Sequence, residues 1–162
     1  MTSDIFSFIS ASTALIATIA GPYVAVKTAR NQIKANLIST NRARWIESMR
    51  DLVACAISHW AGVMYLRAGV DNRDAITIAT NPALLSRIEG GLLTNSKIRL
   101  MLNPNEAESQ RLIKTLDAVV ACLRSAEDQS TVESQVRAHL EEVVRISQAI
   151  LKVEWIRVKL GD

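Results

Sequence analysis

Residues 5–26 read IFSFISASTALIATIAGPYVAV, twenty-two positions without one charged side chain. As a helix rising about 1.5 Å per residue, such a run reaches about 33 Å, the depth of a bilayer's hydrocarbon core. The run admits three readings: a cleaved export signal, a helix buried in its own soluble domain, or a membrane span. An export signal places bases ahead of its apolar segment. Here only Asp4 precedes the run, while Lys27, Arg30 and Lys34 follow it. A core helix of a soluble domain keeps a polar side, and this run has no charge on any side. A single membrane span accommodates both observations. The bases after it then place residues 27–162 in the cytoplasm and the N-terminus outside, the orientation of a bacterial inner-membrane protein.

The remaining chain reads as helical. Of its 162 residues only three are proline and six glycine, and between Pro22 and Gly62 there is neither. From Lys27 onward the chain forms one long helix or two, with Ser39-Thr40-Asn41 the favoured break, because such residues bond to local backbone. Trp45, Met49, Leu52, Val53, Ile57, Trp60, Val63 and Met64 recur at helical spacing. Gly69 is a C-terminal stop, GVDNRD (69–74) is turn chemistry, and AITIAT (75–80) is ambiguous. A further helix is expected from Pro82 to Leu102, weakened in its middle by Gly90-Gly91. Another begins with Glu106 and Glu108 in its first turn and ends near Ser125. Ser130-Thr131-Val132-Glu133 reads as a capping box that opens a last helix to about Leu160. The expected fold is all-α: one N-terminal transmembrane helix and basic neck (1–39), then a cytoplasmic bundle of about four helices (40–162).

The span is two-faced. At about 100° per residue, Ile5, Phe8, Ile9, Leu15, Ile16, Ile19, Tyr23 and Val26 share one sector. Ser7, Ser10, Ala14, Ala17 and Gly21 share the other, which continues through Thr28 and Gln32. Bulky residues suit lipid tails, and Lys27, Arg30 and Lys34 below them suit anionic headgroups. In lipid, small residues mark the face where helices approach closely. One span per chain leaves another chain as the partner, most simply a second copy. Two expectations follow: spans that merely dimerise, or a ring in which Ser7, Ser10, Gly21, Thr28 and Gln32 line an uncharged polar channel. Gly21-Pro22 removes a helix hydrogen bond and is the candidate kink or gate.

No catalytic constellation accompanies this layout. His59 and His139 have no partners at metal-ligand spacing, and neither follows an arginine by the four to six residues that helical ribonucleases of the HEPN type use. Cys55 and Cys122 read as reduced core thiols. Phosphate loops, dinucleotide fingerprints and nucleophile elbows are absent. The expectation is a protein that is not an enzyme and carries no metal or cofactor. Net charge is +3, concentrated after the span: residues 27–50 hold six Lys/Arg against Glu47 alone. Arg42, Arg44, Lys97, Arg99, Arg111 and Lys114 are the candidate contacts for a phosphate-bearing ligand, a nucleotide or nucleic acid.

A short N-terminal span with an uncharged small-residue seam at 7–32, a basic neck and a small helical domain resembles the membrane effectors of bacterial anti-phage systems. Among these are the octameric CRISPR-associated pore protein and the channel effector of the Hailong system. The resemblance implies a homo-oligomer whose spans open when a nucleotide or nucleic-acid signal reaches the cytoplasmic domain. A membrane-tethered adaptor that localises a partner enzyme is the competing expectation.

Overall fold

The computed structural model describes residues 2–68, 81–125 and 128–160, with no side-chain description for residues 2–17, 19–21, 31 and 35. The expected turn at 69–74 and the ambiguous AITIAT segment lie outside the described residues. All described elements are helices: α1 (Thr2–Ala68), α2 (Pro82–Met101), α3 (Ala107–Arg124) and α4 (Gln129–Leu160). Among the described residues no helix is long and apolar enough to cross a membrane. Most of the run 5–26 has no described side chains.

The favoured break at Ser39-Thr40-Asn41 is not there. α1 runs through it without interruption, with Pro22 in its interior. The reason is tertiary. Just beyond the Ser-Thr-Asn triplet, Arg42 pairs with Glu154 of α4 at 3.2 Å, and Trp45 donates its indole N–H to the Met101 carbonyl at 3.2 Å. The second contact also satisfies a carbonyl at the open end of α2. Packing against α4 and α2 just past the triplet overrides the local preference of three polar side chains.

Below the triplet, α1 buries a regular stripe: Ile46, Met49, Val53, Ala56, Trp60 and Val63. Leu84 and Ile98 of α2, Leu112, Leu116 and Val119 of α3, and Val132, Val136, Val143 and Ile146 of α4 complete one continuous core. α2 and α4 pack against α1, and α3 packs chiefly against α4. Above the triplet, no described element packs on α1. Every described side chain from Pro22 to Ile38 is exposed, including Tyr23 at 70%, Ile33 at 59% and Leu37 at 58%. At about 100° per residue, Val26, Ile33 and Leu37 lie opposite the face that Ile46, Met49 and Val53 bury. The neck therefore projects about 25 Å beyond the bundle, its apolar stripe turned away from its own α2 and α4.

The helix starts are set locally. Asn81 caps α2, its Oδ1 accepting from the N–H groups of Ala83 and Leu84, both at 3.1 Å, with Pro82 in the first turn. The start of α4 differs from the expected capping box. Asp128, not Ser130, accepts the Thr131 N–H at 3.0 Å, and the Ser130 and Thr131 hydroxyls both donate to its carboxylate at 2.6 Å. Glu133 pairs forward with Arg137 at 2.9 Å instead of reaching back. A carboxylate with several converging donors is the stronger acceptor, so the cap moves two residues upstream.

Candidate functional site

Three regions were marked by sequence: the seam, the neck and the scattered bases of the bundle. The side chains of Ser7, Ser10, Ala14, Ala17 and Gly21 lie outside the described residues. Pro22, Lys27, Thr28, Arg30, Gln32 and Lys34 are all exposed on the projecting part of α1. Among the described residues no contact within the chain occupies that surface of the neck.

The bundle bases do not converge on one site. Arg42 is half-buried against Glu154, which also accepts from Arg157 one helical turn away. Arg99 of α2 pairs with Asp117 of α3. Arg111 of α3 reaches Glu142 of α4 at 2.7 Å, and Arg145 closes on the same carboxylate at 2.6 Å. The hydrogen bond from Arg145, helped by the charge of Arg111, holds the Glu142 carboxyl down at about 2. The same contact raises the Arg145 guanidinium above its ordinary value. Arg42, Arg99 and Arg111 thus tie helices together, whereas Arg44, Lys97 and Lys114 stand exposed.

His59 and the glycine pair form a contact that periodicity did not reveal. A Cβ added at Gly90 would come within 2.3 Å of the His59 ring, and one at Gly91 within 2.7 Å of the Trp60 indole. Glycine here lets the two helices approach closely, with both rings of α1 seated against α2. The Trp60 indole N–H then donates to Asn95 Oδ1 at 3.2 Å, buried at the helix crossing. His59 Nδ1 is buried with no hydrogen-bond partner. Cys55, expected in the core, is exposed, because it sits on the side of α1 away from α2 and α4; Cys122 is half-buried, and neither is in a disulfide. Among the described residues no group of His, Cys, Asp and Glu is placed to hold a metal ion.

A cavity of about 480 Å³ opens where the C-terminal ends of α1 and α3 meet α2. Its floor is apolar and deeply buried: Trp60, Val63, Leu84 and Leu123 are at most 8% exposed. Arg67, Leu92, Arg124 and Ser125 form its more exposed rim. The two arginines occupy the last turns of α1 and α3, within the similar stretches Leu66-Arg67-Ala68 and Leu123-Arg124-Ser125. Sequence reading passed over both, since a base in a last helical turn is ordinarily explained by the helix dipole. The repeated Leu-Arg-small ending was the signal available. No family model, curated protein or solved structure matches the chain.

Proposed function

We propose that the protein is a homo-oligomeric membrane protein whose N-terminal helices cluster across a bacterial inner membrane as a channel or pore. Its bundle, on the cytoplasmic side, receives an anionic signal that changes the packing of that cluster. The observation that carries this reading is the course of α1, which leaves the bundle unbroken and uncovered. A soluble domain that buried residues 5–26 in its own core would cover the end of that run. Instead Pro22 to Val26 are exposed, with Tyr23, Val24 and Val26 each more than half open. A lone apolar helix is marginal in water, so its stability must come from lipid or from other chains. The twenty-two uncharged residues suit the first, and the small-residue face suits the second.

Lys27, Arg30 and Lys34 would lie at the headgroups, and Ser7, Ser10, Ala14, Ala17, Gly21, Thr28 and Gln32 between copies. A rotation or tilt of the bundle would pass along α1 to the Gly21-Pro22 step, because a continuous helix has no joint in which to lose the motion. In a cell under phage attack, opening such a cluster would dissipate ion gradients and stop growth.

A tethered adaptor is the alternative. It is favoured by an uncovered apolar end of α4, where Val153, Trp155, Ile156 and Leu160 are 47–71% exposed. Ion flux into liposomes carrying the purified full chain separates the two. The channel reading expects flux that Ser10→Leu and Gly21→Leu abolish. The adaptor reading expects no flux and full activity after exchange of residues 5–26 for an unrelated span.

A further inference from the structure

We propose that the exposed end of α4, around Trp155 and Leu160, is a second membrane contact that docks on a bilayer surface rich in anionic lipid. The inference rests on the reading that residues 5–26 span a membrane. Register brings this end to the right level. Ile57, Ala61 and Met64 of α1 line one cleft with Arg137, Leu140 and Val144 of α4. Farther along, Arg42 pairs with Glu154 at 3.2 Å. The two helices are thus antiparallel, and α4 climbs toward the neck. Leu160 lies six residues past Glu154, about 9 Å along the helix, and Lys34 lies eight residues before Arg42, about 12 Å. The last turn of α4 therefore comes nearly level with Lys34, at the depth of the headgroups.

The outward face of this end has the composition of an interfacial element. At about 100° per residue, Lys152, Trp155, Ile156 and Lys159 share the sector opposite the buried Val143, Ile146 and Ile150. Trp155, Ile156 and Leu160 are 48%, 47% and 71% exposed. The Lys159 ammonium stands 5.7 Å from the centre of the Trp155 ring. Tryptophan suits the boundary between tails and headgroups, and lysine stems cover apolar surface while their charges reach phosphates.

Charge selects the partner. From Lys27 to Arg44 the chain has five bases and no acid, and Lys152, Arg157 and Lys159 add three. Within the last turns of α4 the acid is Glu154, whose side chain is 15% exposed and bonded to Arg42 and Arg157. Asp162 follows in the sequence. Glu106 and Glu108 of the α3 start lie beside Ala149 and Val153, about two turns farther from the neck than Leu160. Anionic lipid is the complement of such an end, and a docked α4 would fix the inclination of α1 below Pro22.

The test uses the full chain with Cys55 and Cys122 replaced by serine. A bimane label is placed on Leu160→Cys or on Val144→Cys, and the vesicles carry a nitroxide on their headgroups. Val144 is 37% exposed on the same helix, about 24 Å farther from the neck. With phosphatidylglycerol in the vesicles, the label at 160 should be quenched and the label at 144 should not. Lys152→Gln combined with Lys159→Gln should release the label at 160 while melting as the parent does, since each base near an anionic surface is worth about fivefold in association. Equal quenching at the two sites, no quenching at 160, or quenching that the double variant keeps in full overturns the proposal. Flotation with phosphatidylcholine vesicles is read alongside. A chain that does not float overturns the spanning reading and this proposal with it; one that floats with the label at 160 unquenched overturns this proposal alone.

Discussion

Gly91 lies so close beneath Trp60 that a methyl group placed on it would sit 2.7 Å from the indole Cζ2. Trp60 is 2% exposed and rigid, so it cannot step aside. Gly91→Ala should therefore lower stability by about 1–3 kcal/mol through overpacking, despite the gain of up to about 1 kcal/mol in helix propensity. Gly62→Ala is the internal contrast. The nearest atoms its Cβ would meet all belong to the Arg87 side chain, from 3.2 Å, and that side chain is long and exposed. This variant should be neutral or gain up to about 1 kcal/mol. Chemical denaturation of both variants reads the opposite signs.

Ser147 is 3% exposed, and its hydroxyl has no hydrogen-bond partner. A buried unsatisfied hydroxyl costs about 1–3 kcal/mol, and alanine is the better helix former. Ser147→Ala should raise the urea midpoint, by about 1 kcal/mol of stability, at an unchanged denaturant slope.

Asp128 collects the Ser130 and Thr131 hydroxyls and the Thr131 N–H at the start of α4, and these bonds hold its carboxyl well below the usual carboxylate range. A folded-state value below the unfolded one means a stabilisation present in full above the ordinary carboxylate value and lost as pH falls below it. Asp128→Ala should thus melt below the parent at neutral pH. The two melting curves should converge on acidification through and below the ordinary carboxylate range.

These contacts also mark where the sequence was legible. Pro82, Glu106 and Leu160 bounded α2, α3 and α4 to within a residue or two, because caps and dipole partners act on their own helix. What one helix does to another was not legible. Gly90-Gly91 read as a weak point in α2, yet the pair makes room for His59 and Trp60. Ser39-Thr40-Asn41 read as a break, yet Arg42 and Trp45 are held by α4 and α2 immediately beyond it. Ser130 read as a cap because Asp128 could not be known to gather both following hydroxyls. Arg67 and Arg124 belong to different helices, and only the fold shows that they share one rim.

The unbroken course of α1 makes a mechanical prediction. Thr40 is exposed, in the helix interior between neck and bundle. Thr40→Pro removes a helix hydrogen bond there and clashes with the preceding turn, at about 3 kcal/mol in helix propensity. The bundle should still melt cooperatively, its core lying at Ile46 and beyond. Flux in liposomes should lose its dependence on a ligand bound to the bundle, because the helix no longer transmits a rotation.

Whether water runs between the N-terminal helices is decided by thiol accessibility in the membrane. In a background with Cys55 and Cys122 replaced by serine, Ser10→Cys and Ile9→Cys place single thiols about 100° apart, on the small-residue and the bulky sectors of the apolar run. A charged, membrane-impermeant thiol reagent is added to flux-competent liposomes. The channel account predicts that Ser10→Cys reacts and its flux is blocked, while Ile9→Cys, facing lipid, stays unreactive. Flux that persists with Ser10→Cys unreactive, or equal reaction at both positions, would contradict it.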